Sequence, residues 1–317
     1  MIMIEPELTI FTAPKPFKDS HISTIQYNAI RSWKKLEPKV SIVLIGNEEG
    51  VDVVAKELDV HFVPDVKRNL QNTPLISSIF EIGRNINASP LLAYINSDII
   101  IFEDFLHTAR HVSNKFEQFL IVGQRWDLEI TELINFSSGW KKEIKNNIHA
   151  IGKLHSRSGS DYFIFSRNCF QKIPEFAVGR AGWDNWMFYK ARKQKWPCID
   201  ATKSIFVIHQ NHDYSHLPPG KKHYHLPETY ENIKLAGGRR SIFSMMDVDY
   251  EYVDGIVKKI PVNWKKFWRE IEIFPLINSD LQILGQLTFT IFHPKRAYQE
   301  FRTWLRIIKN NKRRKNA

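Results

Sequence analysis

Short apolar runs alternate with amphipathic stretches through the first third of the chain. Leu8-Thr9-Ile10-Phe11-Thr12 reads as a strand, halted by Ala13-Pro14-Lys15-Pro16. From Ser20 to Leu36, the residues Ile22, Ile25, Ala29, Ile30 and Trp33 fall near helical spacing, with Ser20 as the expected cap. Val40 to Ile45 predicts a second strand, closed by Gly46-Asn47-Glu48-Glu49-Gly50. A short helix over Val51–Leu58 and a strand over Val60–Val63 follow. A helix over Thr73–Ile86, with Ile76, Ile79, Phe80 and Gly83 on one face, leads into a strand at Leu91–Tyr94. Such alternation of strand and helix predicts a doubly wound α/β fold with a mostly parallel central sheet flanked by helices.

The second half is less regular. Strands are expected at Phe119–Val122 and within Gly159–Phe165, a helix over Gly182–Ala191 after a glycine turn, and a final strand over Ser204–His209. Pro218 to Arg240, rich in Pro, Gly, His and Lys, reads as a loop or a flap. Trp264 to Ile308 reads as helical, with breaks at Pro275 and near Pro294. The expected division is a domain over residues 1–240, with halves 1–105 and 106–240, and a helical extension over 241–317 carrying a basic tail.

Composition narrows this picture. In 317 residues, 43% hydrophobic and 25% charged content is ordinary for a globular protein. Two cysteines, Cys169 and Cys198, exclude a disulfide scaffold and fit a reducing cytosol, with a single bridge left open. Met1 to Thr9 lacks the basic segment and apolar core of a signal peptide, and no apolar span is long enough to cross a bilayer. The expected location is cytoplasmic. The net charge of +11 is concentrated late: Val262 to Ala317 holds twelve Lys/Arg against four Asp/Glu, with no acid after Glu300. A basic end suits an anionic membrane surface or nucleic acid, or is simply a solvated terminus. A nucleic-acid-binding module would interleave aromatics with its cations across a recognisable unit, so no nucleic acid is expected. Peripheral contact with the inner face of a membrane stays open, since Ile273 to Phe292 is too polar to span a bilayer yet suited to an interface.

Candidate chemistry begins where the run from Leu91 to Phe102 is interrupted by Asn96-Ser97-Asp98. A carboxylate between two oily segments needs a partner, and strand ends of open α/β sheets are where ligands collect. Asp98 is therefore a candidate ligand for a divalent cation. Asp184, in Gly182-Trp183-Asp184, is placed as a helix cap, and a helix start favours its ionised form. His209 and His212 follow an apolar run, and His216, His223 and His225 lie farther on. A zinc site among these histidines lacks cysteines or an acid at a recognised spacing.

Together these segments resemble a nucleotide-sugar glycosyltransferase of the GT-A fold, most closely over residues 8–105 and in scattered motifs from 159 to 216. The resemblance rests on strand ends at Thr12-Ala13-Pro14-Lys15, Gly46-Asn47-Glu48 and Asn96-Ser97-Asp98, and on Arg84-Asn85 in the intervening helix. The family's metal motif is Asp-x-Asp, whose first acid is Asn96 here. What the resemblance implies is as follows. Asp98 and His209 hold Mn²⁺ or Mg²⁺. Thr12, Ala13, Lys15, Asn47, Glu48, Arg84, Asn96 and Ser97 bind the donor, a UDP- or GDP-linked sugar. Asp184 is the base of an inverting transfer, and Asp161 and Trp183 face a glycan or lipid-linked acceptor. Outside the resemblance, Arg239-Arg240 after Gly237-Gly238 read either as a basic flap over the diphosphate or as an inert surface loop. Two rival readings are a sugar-nucleotide nucleotidyltransferase, which usually has a glycine-rich phosphate loop absent around Thr12–Phe17, and a non-catalytic basic protein of nucleic acid or membranes.

Overall fold

The computed structural model describes residues 5–212, 226–279, 282–299 and 301–302. The apolar runs read first from the sequence become adjacent strands toward one edge of a nine-stranded sheet. Strand β1 (Leu8–Thr12) is followed by helix α1 (Ser20–Lys34), β2 (Val40–Ile45), α2 (Val51–Glu57), β3 (His61–Val63), α3 (Ile76–Asn85) and β4 (Leu91–Ile95). Every residue of β1, β2 and β4 is buried, as expected for parallel strands covered on both faces. Leu8 pairs with Val40 on one side and Leu91 on the other, so three strands end at one level. Their carboxyl ends open onto a common edge. Helix α1 is capped by Asp19 rather than Ser20: the Asp19 carboxylate accepts from Ile22 N at 2.9 Å.

Beyond β4 the elements shorten. They are β5 (Ile99–Ile100), α4 (Glu103–Ser113), β6 (Leu120–Val122), β7 (Trp126–Leu128), α5 (Trp140–Ile151), β8 (Lys153–Leu154) and β9 (Tyr162–Ser166). Then come α6 (Trp183–Lys193), β10 (Cys198–Asp200), β11 (Ile208–Gln210), α7 (Pro227–Leu235), β12 (Tyr250–Val253) and β13 (Ile256–Lys259). The main sheet runs β13-β12-β10-β6-β9-β4-β1-β2-β3. It is parallel except for β9, antiparallel to both β4 and β6, and the edge hairpin β12–β13. The doubly wound, mostly parallel α/β sheet expected from the sequence is thus the observed one. A second sheet, β5-β11-β7-β8, stands at the end of β4. It has its own apolar layer, in which Phe102 stacks on Trp140 beside Ile208.

Four details depart from the sequence reading. The strand expected over Ser204–His209 is confined to Ile208–Gln210 and belongs to the small sheet, and two more strands follow it. Pro227 starts α7 instead of marking a loop, because a first-turn proline gives up only an N–H that has no helical partner. Helix α8 (Trp264–Asn278) continues through Pro275, whose ring is compatible with helical φ and removes a single hydrogen bond. The first compact unit runs to Ile260, past the boundary expected at 240, because β12 and β13 complete the main sheet. The second unit, from Pro261, contains α8 and α9 (Gln282–Phe292). Cys169 and Cys198 are separate buried thiols. Among the described residues no helix is long and apolar enough to cross a membrane.

Candidate functional site

Strand register assembles the site. In the small sheet β11 lies between β5 and β7, and His209 sits opposite Ile99 on one side and Asp127 on the other. Asp98 immediately precedes β5, so Asp98, His209 and Asp127 arrive from three adjacent strands. The His209 ring spans the gap: Nδ1 is 3.2 Å from Asp127 Oδ1, and Nε2 is 3.9 Å from Asp98 Oδ2. His212, one turn of chain further, brings Nε2 to 3.1 Å from the same Asp98 oxygen. One ligand atom from each of Asp98, His209 and His212 lies within 4.8 Å of the others. Asp98 is buried, and its Oδ1 has no hydrogen-bond partner.

The acids and bases around this cluster form a chain. Asp127 also accepts from Arg125 Nε at 2.9 Å and pairs through Oδ2 with His155 Nδ1 at 2.8 Å. Arg125 reaches on to Asp161, whose other oxygen accepts from Asn96 Nδ2 at 2.8 Å. Burial works against the Asp98 carboxylate. The His212 hydrogen bond, with His209 and Lys15 nearby, more than offsets it and holds the group well below the carboxylate range. Burial likewise opposes charge on His209, but Asp127 and Asp98 prevail and raise its pKa.

Buried polar side chains of α1 hold the turn in place. Gln26 donates to Lys15 O at 3.0 Å, and its Oε1 accepts from Lys15 N at 2.8 Å and from Ser97 Oγ at 2.7 Å. Gln210 donates to Ile25 O at 2.7 Å and to Asp98 O at 3.1 Å, and accepts from Asn28 at 3.0 Å. Trp33 Nε1 donates to Ile99 O at 2.8 Å. A helix read from its apolar stripe alone thus carries a second, polar seam that ties β1, β5 and β11 together.

A cleft of about 380 Å³ lies over these strand ends. Among the sequence candidates, Ala13, Lys15, Glu48, Asn96, Ser97, Asp98, Asp161 and His209 line it. His212, Arg125, Arg180 and Tyr94 join them, and the sequence reading had passed over all but His212. Lys15 Nζ lies 3.2 Å from His212 Nε2, and Arg180 is held by Glu228 of α7 at 2.8 Å. Glu48 pairs with Arg68 through Oε1 at 2.9 Å, leaving Oε2 buried without a hydrogen-bond partner. Asn47 accepts from the same Arg68 at 2.7 Å and is exposed beside the cleft's edge residue Glu48. Thr12 is fully buried at the end of β1, its Oγ1 also without a partner.

Asp184 occupies the second position of α6, whose start requires Gly182 in the left-handed region at φ 110°. Burial pushes its carboxyl up to about 6, against hydrogen bonds from the helix-start backbone, and the nearby charge of Asp161 adds to the rise. Gly159 lets it lie close: a Cβ there would stand 2.9 Å from Asp184 Oδ2.

Three expectations are corrected. Trp183, 6% exposed, points into the core, edge-on to Tyr94 at 5.0 Å and against Phe163 at 5.4 Å, so it has no free face for a sugar. Arg84 does not reach the cleft. Its guanidinium donates to the carbonyls of Arg167, Cys169 (2.9 Å) and Phe170 (3.1 Å), clamping the turn after β9. Arg239 and Arg240 form a short 3₁₀ turn, and neither lines the cleft. His216, His223 and His225 lie outside the described residues.

No protein-family model matches the chain, and no curated protein matches its sequence. Solved structures match in outline. Glucosyl-3-phosphoglycerate synthase from Mycobacterium tuberculosis, in a complex with Mn²⁺, UDP and glucosyl-3-phosphoglycerate, is 12% identical with a TM-score of 0.46. That match covers 82% of this chain and 88% of the synthase. A mannosyltransferase from Pyrobaculum calidifontis, in complex with GDP-Man and Mn²⁺, is 8% identical with a TM-score of 0.43, covering 67% of this chain and 59% of its own.

Proposed function

We propose that this chain is a GT-A glycosyltransferase that moves a sugar from a UDP- or GDP-linked donor to a glycan or lipid-linked acceptor with inversion. The observation that carries the reading is the convergence of Asp98 Oδ2 with the ring nitrogens of His209 and His212, beside a carboxylate oxygen that has no partner. Two imidazoles and a carboxylate suit Mn²⁺ well and Mg²⁺ less well. Asp98, His209 and His212 would hold the ion, which when bound neutralises charge on the departing diphosphate. Lys15 and Arg180 line the same cleft and add fixed positive charge beside that group. Glu48 Oε2 is an acceptor for a ribose hydroxyl, and Ala13, Asn47, Asn96 and Ser97 border the nucleoside.

In the reaction, the acceptor oxygen attacks the anomeric carbon, the carbon–oxygen bond to the diphosphate breaks, and Asp184 takes the hydroxyl proton. Asp161, fixed between Arg125 and Asn96, orients the acceptor. Residues 1–105 supply the donor side and 106–240 the acceptor side. The enzyme works in the cytoplasm, with peripheral contact at the inner face of a membrane. Thermal denaturation with UDP, GDP and CDP, each with and without Mn²⁺, tests the reading. A rise in Tm with one nucleotide that requires Mn²⁺ and disappears in Asp98→Ala is expected. No response to any of the three would sink the assignment.

A further inference from the structure

Helix α8 is amphipathic in the wrong sense for water. Trp264, Phe267, Trp268, Ile271 and Phe274 recur at helical spacing along one face, and all are exposed, Trp264 at 74% and Phe274 at 62%. The buried positions include Glu272, 8% exposed, which pairs with Arg269 at 3.1 Å and His293 at 3.0 Å. One acid, Glu272, is folded in beside the fully buried Ile273, and the aromatic surface is turned out. A water-facing helix does the opposite, because each exposed aromatic forfeits the free energy of burying its ring.

Helix α9 also turns apolar surface outward; it packs against α8 with Gly285 at the crossing, where a Cβ would stand 2.3 Å from a Leu276 methyl carbon. This eleven-residue helix carries no charged side chain, and Ile283, Leu287 and Ile291 form an exposed ridge on it. Neither helix is long enough to cross a bilayer. Exposed cations flank the pair, Lys265 at the start of α8 and Lys295 and Arg296 just past α9, and the chain beyond Glu300 contains no acid.

We infer that the α8–α9 hairpin is an interfacial membrane anchor that lays its aromatic face into an anionic bilayer. Trp and Phe rings bordered by Lys and Arg are the composition that settles at the boundary between headgroups and acyl chains. The cations add attraction to a negative surface, each near-surface Lys or Arg contributing about fivefold in affinity. A second copy of this chain would cover apolar surface equally well but would gain nothing from a cationic rim. The inference goes beyond the transfer chemistry, because the basic terminus alone would only hover over headgroups, whereas the hairpin supplies buried apolar area. It also stands independently of that chemistry, since no cleft residue takes part.

Vesicle flotation of the full chain tests it. Neutral phosphatidylcholine vesicles are compared with vesicles in which about a third of the lipid is phosphatidylglycerol. The expected result is flotation with the anionic vesicles only. Combined Trp264→Ser, Phe267→Ser and Phe274→Ser should weaken it by about tenfold or more, and Lys265→Glu with Lys295→Glu and Arg296→Glu should do likewise. These side chains are exposed, so an unchanged Tm and an unchanged nucleotide response show that the variants are folded and that the cleft is intact. No flotation of the parent chain, undiminished flotation of the aromatic variant, or a solution dimer that the aromatic variant dissociates would each overturn the inference. Failure of the nucleotide response alone would count against the transferase and leave the anchor standing.

Discussion

Asp127 Oδ1 lies 3.2 Å from His209 Nδ1, on the neighbouring strand of the small sheet and on the far side of the ring from Asp98. The 3.2 Å approach is an ion-pair distance without hydrogen-bond geometry, His209 Nδ1 having no hydrogen-bond partner among the described residues; a proton on Nδ1 would complete the contact and turn the lone pair of Nε2 toward an ion held by Asp98. Imidazoles that bind metals are commonly oriented in this way by a carboxylate, and losing that partner costs about 10–100-fold in affinity. Asp127→Ala is therefore expected to weaken Mn²⁺ binding by about that factor, measured by calorimetry or by the paramagnetic signal of free Mn²⁺. Asp127→Asn, which still accepts a hydrogen bond, should weaken it less. Equal affinity in parent and Asp127→Ala would show that the ring is held by packing alone.

The base proposed above, Asp184, predicts a pH dependence of transfer. Its carboxyl, pushed up to about 6 by burial and by Asp161, is a competent base only when ionised. Transfer should therefore fall about tenfold per pH unit below 6 and level off above it, and Asp184→Asn should abolish transfer without loss of nucleotide binding. Stability runs the other way. A carboxyl whose pKa rises on folding contributes stability fully below its unfolded value near 4 and loses it as the pH climbs through about 6. Asp184→Asn is thus expected to melt higher than the parent at pH 8, with the gap closing toward pH 4. Denaturation followed across that range reads the sign directly.

The sequence revealed the first half of the fold because parallel strands buried on both faces appear as unbroken apolar runs, as in Val40–Ile45. It hid the small sheet because β5 and β8 have two residues each and β7 and β11 three, too short for any periodicity to register. Asp127 was invisible for that reason: only the pairing of β7 with β11 brings it to His209. The resemblance implies His209 and not His212 as a ligand, yet His212 Nε2 is the nearer to Asp98 Oδ2, at 3.1 Å against 3.9 Å. The Gly-Trp-Asp motif located the start of α6 correctly. A sequence does not say which way the first residue of a helix turns, and Trp183 turns inward.

That orientation is testable. Trp183 contacts Phe80, Tyr94 and Phe163 and is 6% exposed. Trp183→Ala should cost about 3–5 kcal/mol of stability in denaturant unfolding, while Trp183→Phe keeps most of the packing and should cost far less. The acceptor KM of Trp183→Phe is expected to match the parent. A KM raised severalfold in a fully stable Trp183→Phe protein would restore the sugar-facing role.

Gln26 offers the sharpest separation of scaffold from chemistry. It is 1% exposed, and its amide joins the backbone of Lys15 to the hydroxyl of Ser97. Replacing it with Leu keeps the volume but leaves the Lys15 N–H and carbonyl and the Ser97 hydroxyl without these partners. Each group that loses this partner costs up to about 1–3 kcal/mol, and the loss concentrates in the turns after β1 and β4. The expected outcome is lower global stability together with faster amide exchange at residues 13–16 and 96–98. Nucleotide affinity should fall with it, because Lys15 and Ser97 both line the cleft. Gln26→Glu keeps an acceptor for Lys15 N and Ser97 but, when ionised, sets a carboxylate oxygen against the Lys15 carbonyl and buries a charge, so its recovery of both should grow as falling pH protonates it. If Gln26→Leu lowers stability while leaving exchange in those two turns and nucleotide affinity unchanged, the polar seam of α1 serves the core and not the site.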